Sequence, residues 1–163
     1  MKKLRNIIVI LLGCIVLGFV SFIYLSDPLV YYGNSTYEEP SGYKDIVFEI
    51  KNEGISKVLI KEVLVNNQPG DEIIELGISH DTFQIVQSET GNEQIKFYPL
   101  GEMEVITKIP KDQAYKLFHQ KKMTPFHYGI RVKNYNEPIK TLTIKYEYFG
   151  FPVTKEVNVC LGC

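Results

Sequence analysis

The chain lacks the sequence patterns that most often assign a catalytic activity. Its 163 residues contain no Gly-x-Gly-x-x-Gly or Walker loop for phosphates, no Gly-x-Ser-x-Gly nucleophile elbow and no His-Glu-x-x-His zinc motif. Each motif fixes a reactive or charge-stabilising group in a turn or helix, so their absence excludes the common nucleotide-binding, serine hydrolase and zinc protease signatures. We therefore expect a protein that is not an enzyme, with no cofactor and no metal site.

Cysteine and alanine are scarce. Three cysteines are too few for a disulfide framework, although a single pair could close in an oxidising compartment. Ala114 is the only alanine, and it lies far from the N-terminus, where a secretory signal peptide needs small residues at its cleavage site. This scarcity counts against removal of an N-terminal signal.

Residues 7–25 carry no charged side chain. As a helix this run would be about 28 Å long, close to the roughly 30 Å hydrocarbon core of a bilayer. Three fates are open: a retained signal anchor, a cleaved signal peptide, or a lipoprotein lipidated at Cys14, which follows a lipobox-like Leu-Leu-Gly. Only residues 7–13 of the apolar run precede Cys14 and further apolar residues follow it, so the retained anchor is favoured.

The charges flanking the apolar run predict its orientation. Lys2, Lys3 and Arg5 precede it, and the next basic residue is Lys44, so the positive-inside rule puts residues 1–6 in the cytoplasm. Residues 26–163 would then lie outside the cell membrane. In that part, residues 26–43 mix Pro, Gly, Ser and acid and are typical of a stalk or a loose first strand, and residues 44–163 form the ectodomain.

The exported part has the size of one domain and a mild negative charge. Removing the three N-terminal bases from the 18 basic residues leaves 15 against 19 acidic ones, a net charge of −4. This balance argues against nucleic acid and against anionic lipid headgroups as main partners.

From Lys44 onward the hydrophobic pattern has a period of two, which is typical of half-buried strands. In the stretch after Val58 and Ile60 the apolar positions resume at Val63 and Val65, so a β-bulge at Lys61-Glu62 is predicted. Further strands are predicted over 73–78, 82–87, 94–98, 103–109, 126–132, 142–148 and 153–159, and a short helical crossover over 111–122.

Three basic residues give the strand predictions testable detail. Lys155 interrupts the apolar side of the last strand, which is typical of a sheet edge. Arg131 and Lys145 alternate with apolar neighbours and are predicted to point away from the core, where substitution should be tolerated.

Seven to eight short strands with regular turns predict an all-β fold, and we favour an antiparallel immunoglobulin-like sandwich. The opening FEIKNEGISKVLIKEVLVN resembles bacterial immunoglobulin-like, CARDB-like extracellular modules, in which a strand, an Asn-x-Gly turn and a Val/Ile-rich strand recur. The chain lacks the Cys and Trp core markers of antibody-type domains. The resemblance implies a module that binds, spaces or displays.

A few residues could carry chemistry or contacts. Ser79, His80 and Asp81 are neighbours, and His119 and His127 flank a proline-containing turn, but neither group has ligand or catalytic spacing. Cys160 and Cys163 end the chain as a possible disulfide or redox pair. In the stretch after Tyr148, Phe149 and Phe151 form a possible contact patch for protein or membrane.

Two classes of function follow. The first is a non-catalytic interaction module, tethered to the membrane through residues 7–25, that contacts another envelope protein. The second is a thiol-active or metal-dependent envelope enzyme that uses Cys160 and Cys163 or the histidines. The missing catalytic patterns favour the first class.

Overall fold

A computed structural model describes residues 2–38, 40, 42–68, 73–80, 84–88, 91–110, 113–114, 116–117, 124–135 and 137–159. The chain begins with helix α1, Lys2–Leu25. Nine strands follow among the described residues: β1 Leu29–Glu38, β2 Lys44–Asn52, β3 Val58–Val65, β4 Ile73–Ser79, β5 Ile95–Pro99, β6 Glu104–Val105, β7 His127–Tyr135, β8 Thr141–Tyr148 and β9 Phe151–Asn158.

The strands form two sheets in which the paired strands are antiparallel. One sheet has the order β1-β2-β7-β4-β5 and the other has the order β6-β3-β8-β9. The predicted mostly β fold with an N-terminal apolar helix is thereby confirmed at the level of two antiparallel sheets. Strand β1 lies in the segment for which the sequence left a stalk or a first strand open, and it pairs with β2 from Leu29 to Glu38.

Alternating residues of both sheets share one hydrophobic core. The same cluster holds inward residues of β2 and β7 from the first sheet and of β3 and β8 from the second. Its largest fully buried side chains include Phe48, Tyr146 and Tyr148. The period-two pattern in the sequence therefore reports burial between two sheets.

Strand β3 contains the predicted bulge. Its register with β8 shifts between Ile60 and Glu62, and Val58, Ile60, Val63 and Val65 are all buried. One additional residue restores both halves of the strand to the same face, as the apolar spacing requires.

The strand predicted over 82–87 is wrong for its described part, because residues 84–87 have no strand pairing. This segment covers the outer face of the first sheet instead. There Val86, Val47 and Ile95 form a second apolar cluster with Phe97 against it. Gly77 and Gly129 are cross-strand partners, and a Cβ at Gly129 would lie 2.6 Å from Val47 Cγ1 and 3.1 Å from Val86 Cβ. Because Gly77 and Gly129 have no side chains, Val86 can pack directly on the sheet at this point.

Two other predictions need adjustment. The strand predicted over 103–109 is only two residues long, with an isolated bridge from Thr107 to Asn52. In the predicted crossover over 111–122, the described residues 113–114 and 116–117 are helical, and the rest lies outside the described residues.

Arg131 does point away from the main core, but the prediction that it is free to vary is not supported. The side chain is buried, its guanidinium Cζ lies 3.3 Å from the centroid of the Phe97 ring, and its Nε donates to Glu75 Oε2 at 3.0 Å. Alternation shows only that a side chain points away from one core. In this protein a second cluster covers the opposite face of the sheet.

Candidate functional site

One end of the two sheets faces helix α1. In the first sheet Leu29 at the start of β1 pairs with Asn52 at the end of β2, and in the second sheet Tyr148 pairs with both Val58 and Phe151. The Asn52 side chain connects the two sheets there, since its Nδ2 donates to the carbonyl of Val105 at 2.9 Å. We call this the α1 end of the sheets.

Helix α1 contributes a residue to the core. Ile23 is fully buried and belongs to the main cluster, whereas most of the helix is exposed. Phe19 lies four residues earlier, on the same helical face, and its ring meets that of Phe149 edge-on with the centroids 5.6 Å apart. The helix therefore contacts the tip of the β8–β9 hairpin through Phe19 and the main core through Ile23.

The sequence after Ile23 ends the helix at this point. Ser26 Oγ donates to the carbonyl of Ile23 at 3.1 Å, which satisfies one of the acceptors left open at a helix C-terminus. Asp27 has a φ of 36°, and Pro28, which cannot continue a helix, is buried at the start of the domain. The turn directs the chain into β1.

Lys155, on the edge strand β9, contacts the segment that connects helix α1 to β1. Its ammonium lies 2.6 and 2.7 Å from the two carboxylate oxygens of Asp27, and it also donates to the carbonyl of Leu29. Burial and then the Asp27 charge raise the pKa of Tyr146 to about 12, so its hydroxyl stays neutral beside the ion pair. The lysine predicted to mark an edge does lie on an edge strand, and its charge is neutralised by Asp27, the second residue after the helix.

The possible contact patch lies at the tip of the same hairpin. Phe149 and Gly150 connect β8 to β9 with φ of 53° and 79°, and Tyr148 pairs with Phe151 across the turn. Phe149 is 39% and Phe151 is 37% exposed. The Tyr148 ring contacts the Phe149 ring at 4.7 Å between centroids, while Tyr148 itself is fully buried.

A cavity of about 320 Å³ opens at the α1 end. Its described walls are mostly apolar: Ile106, Ile109, Ala114, Pro125, Phe126 and Tyr128, with His127 and the lysines 51 and 108 also present. Lys51 Nζ lies 3.1 Å from a Glu49 oxygen and 3.8 Å from the centroid of the Tyr32 ring, and Lys108 Nζ lies 3.5 Å from Glu53. Both ammonium groups already have acidic neighbours, so the cavity suits an apolar group.

Strand pairing brings some of the candidate catalytic residues together: Ser79 at the end of β4 is the cross-strand partner of His127, and His80 follows Ser79. Ser79 is fully buried and its Oγ donates to the carbonyl of Gln84 at 2.6 Å. His80 follows the end of β4 with a buried Nδ1 that has no partner among the described residues, and His127 begins β7. In the part of the chain that the structure describes, no group of three or more His, Cys, Asp or Glu could hold a metal ion.

Only one of the three cysteines lies among the described residues. Cys14 is exposed on helix α1 as a free thiol. Cys160, Cys163, Asp81 and His119 lie outside the described residues, so the possible disulfide and the possible redox pair stay predictions.

Sequence reasoning missed the part that α1 plays in the domain. Phe19, Ile23 and Asp27 read as an apolar span and its exit, and their partners are distant in the chain. The only sequence signal was Lys155, a charge on an apolar strand face that needs a counter-charge nearby.

Comparisons of the chain with protein-family models, with curated proteins and with solved structures found no match. No relative therefore identifies the chain as a CARDB-like module, and its function is inferred from the geometry described above.

Proposed function

We propose that the protein is a membrane-anchored interaction module that displays an immunoglobulin-like sandwich outside the cell membrane and binds another envelope protein without catalysis. Helix α1 is long and apolar enough to be a membrane anchor or a signal sequence. The observation that favours an anchor is the burial of Ile23 in the core of the domain.

Cleavage between the apolar run and the domain would remove a core residue. Ile23 is fully buried: truncating a buried isoleucine to alanine costs about 2 to 5 kcal/mol, and complete removal also uncovers the side chains around it. A signal peptide has no reason to pack into the domain from which it is cut. Lipidation at Cys14 would keep Ile23 and is a separate alternative with its own test.

The flanking charges support an outside location for the domain. Lys2, Lys3 and Arg5 lie on the first turns of α1, while the Asp27 and Lys155 ion pair lies at the opposite end. Retention of the basic end in the cytoplasm leaves both sheets on the other side of the membrane.

The environment of the candidate catalytic residues supports binding over catalysis. The Ser79 hydroxyl is buried and donates to a backbone carbonyl, which keeps it from acting as a nucleophile. In contrast, the apolar cavity around Ile109 and Phe126 offers a place for an apolar side chain of a partner protein.

Protease accessibility tests the membrane assignment. Protease added to spheroplasts should digest the domain, and untreated full-length chain should stay with the membrane in detergent-free buffer. Release of a soluble domain lacking residues 1–25 would overturn the anchor. Incorporation of a labelled fatty acid that is lost in Cys14→Ser would instead establish the lipoprotein.

Site-specific photocrosslinking tests the interaction. A photoreactive amino acid at Ile109, in the cavity wall, should form an adduct with a defined envelope protein in living cells. The same probe at Tyr37, which is exposed near the opposite end of β1, is the matched control. Equal crosslinking from both positions, or none from Ile109, contradicts a partner at the cavity.

A further inference from the structure

The tip of the β8–β9 hairpin has an unusual residue in its turn. Phe149 and Gly150 both have positive φ, which is the sign pattern of a type I′ turn, where Asn-Gly and Asp-Gly are preferred. A phenylalanine in the left-handed region is strained, because its Cβ crowds the backbone. Strain at an exposed position indicates a role for the aromatic ring beyond folding.

The tip lies beside a residue of the apolar helix. Phe149 packs against Phe19, which precedes the last helical residue, Leu25, by about 9 Å along the axis. In a helix that spans a membrane up to Leu25, Phe19 lies below the headgroups. The Phe149 ring then lies at the same depth as Phe19.

The β8–β9 hairpin runs alongside the end of helix α1. On both elements a charged residue lies at one level and an aromatic residue at another. Along β9, Lys155 is about 13 Å from Phe151, and its ammonium binds Asp27 just beyond the helix end. The distance from Asp27 to Phe19 along the helix is thus similar to the distance from Lys155 to Phe151 along β9. With α1 spanning the membrane up to Leu25, the charged pair therefore lies on the aqueous side and the aromatic rings lie on the lipid side.

We propose that Phe149 and Phe151 insert into the acyl chains of the outer leaflet beside α1. The inference rests on the proposed membrane anchor and adds a second attachment point for the domain. Glu147 lies directly behind the turn and is paired with Lys61 at 3.5 Å, so only the turn enters the lipid. Insertion through rings needs no anionic headgroups, in keeping with the acidic domain.

Tryptophan substitution provides the test, because the chain contains no tryptophan and each substitution gives a single fluorescent probe. The full chain is reconstituted into phosphatidylcholine vesicles with and without bromine on the acyl chains. We expect Phe149→Trp and Phe151→Trp to emit at shorter wavelength than a water-exposed indole and to lose most of their emission in brominated lipid.

Tyr37→Trp is the matched control. Tyr37 is 41% exposed, much like Phe149, but it lies on β1 about 26 Å beyond Leu29. Its emission should stay at long wavelength and unquenched. Emission from Phe149→Trp and Phe151→Trp that matches this control, in a chain that stays in the vesicles, overturns insertion and leaves the anchor intact. Loss of the chain from the vesicles overturns the anchor as well.

A second variant separates insertion from folding. Phe149→Asn suits the left-handed turn, so the domain should keep its circular dichroism spectrum. In this background the Phe151→Trp probe should lose most of its quenching by brominated lipid. Unchanged quenching shows that Phe149 does not hold the tip in the membrane and contradicts its proposed part.

Discussion

The ammonium of Lys155 binds both carboxylate oxygens of Asp27, a residue 128 positions earlier in the chain. Lys155 points to the inner side of an edge strand, opposite Ile144, and its side chain is only 18% exposed. Asp27 is the second residue after helix α1. The pair therefore joins the last strand of the domain to the exit of the helix.

A double-mutant cycle should measure this connection. Asp27→Asn and Lys155→Met should show a coupling of about 0.5 to 1 kcal/mol in denaturant unfolding, because the Asp27 side chain is well exposed and partly screened. The exposed pair of Glu62 and Lys145 is the control, with a smaller coupling expected. Additive effects of the two substitutions at the junction contradict a link between strand and helix.

Arg131 and Lys145 should respond differently to the same charge reversal. Arg131→Asp removes the guanidinium from the Phe97 ring and places a second carboxylate beside Glu75, so a loss of about 3 kcal/mol is expected. Lys145→Asp changes an exposed pair and should cost less than about 1 kcal/mol. Chemical denaturation of both variants checks the difference, and equal losses would show that the cover over Arg131 is not formed.

Gly77 should not tolerate a methyl group. A Cβ at Gly77 would lie 2.7 Å from Phe97 Cε1 and too close to Val86 Cγ1, so Gly77→Ala should cost about 1 to 3 kcal/mol. Val86→Ala alone should also destabilise the domain, because Val86 is buried. Together the two should cost less than their sum, since one relieves the crowding caused by the other. Strict additivity in thermal unfolding contradicts the packing of residues 84–88 on the sheet.

Alkaline pH should destabilise the domain. Burial raises the pKa of Tyr128 from the ordinary 10 to about 12, and its hydroxyl accepts the backbone N–H of Ile106. Because the folded state prefers the neutral phenol, this contribution is complete below pH 10 and is lost as the pH rises through 12. It amounts to about 3 kcal/mol for a shift of about two pH units.

The variant Tyr128→Phe isolates this effect. It should unfold with a shallower dependence on pH above 10, while Tyr146, also raised to about 12, maintains part of the slope. Phenolate absorbance during the titration should rise together with loss of the folded circular dichroism signal. Ionisation of all tyrosines near pH 10 without unfolding contradicts the burial.

Local alternation was sufficient to predict most strands and one of their irregularities. The bulge near Glu62 follows from the phase of four apolar residues, and the edge position of Lys155 follows from a charge on an apolar face. Both are properties of a single strand and its two faces. They require no knowledge of which strands are neighbours.

Contacts between distant segments could not be predicted in this way. Alternation placed Phe149 opposite Tyr148 but could not show that Phe19 lies against it. It placed Arg131 outside the main core but could not show a second cover over that face, because the glycine pair beneath Val86 is formed by β4 and β7, which are far apart in sequence. The candidate site depends on these tertiary contacts.

The burial of Ile23 also has a mechanical consequence. A flexible linker would let a domain rotate freely relative to a membrane. A helix with a side chain packed in the core of the domain transmits its own rotation to that domain. Tilting α1 in a bilayer would rotate both sheets by a similar angle. A lateral force on the domain would act on the helix before any two strands separate. In the proposed membrane-anchored state, a helix that tilts to match the thickness of the bilayer would therefore change the direction in which the domain faces.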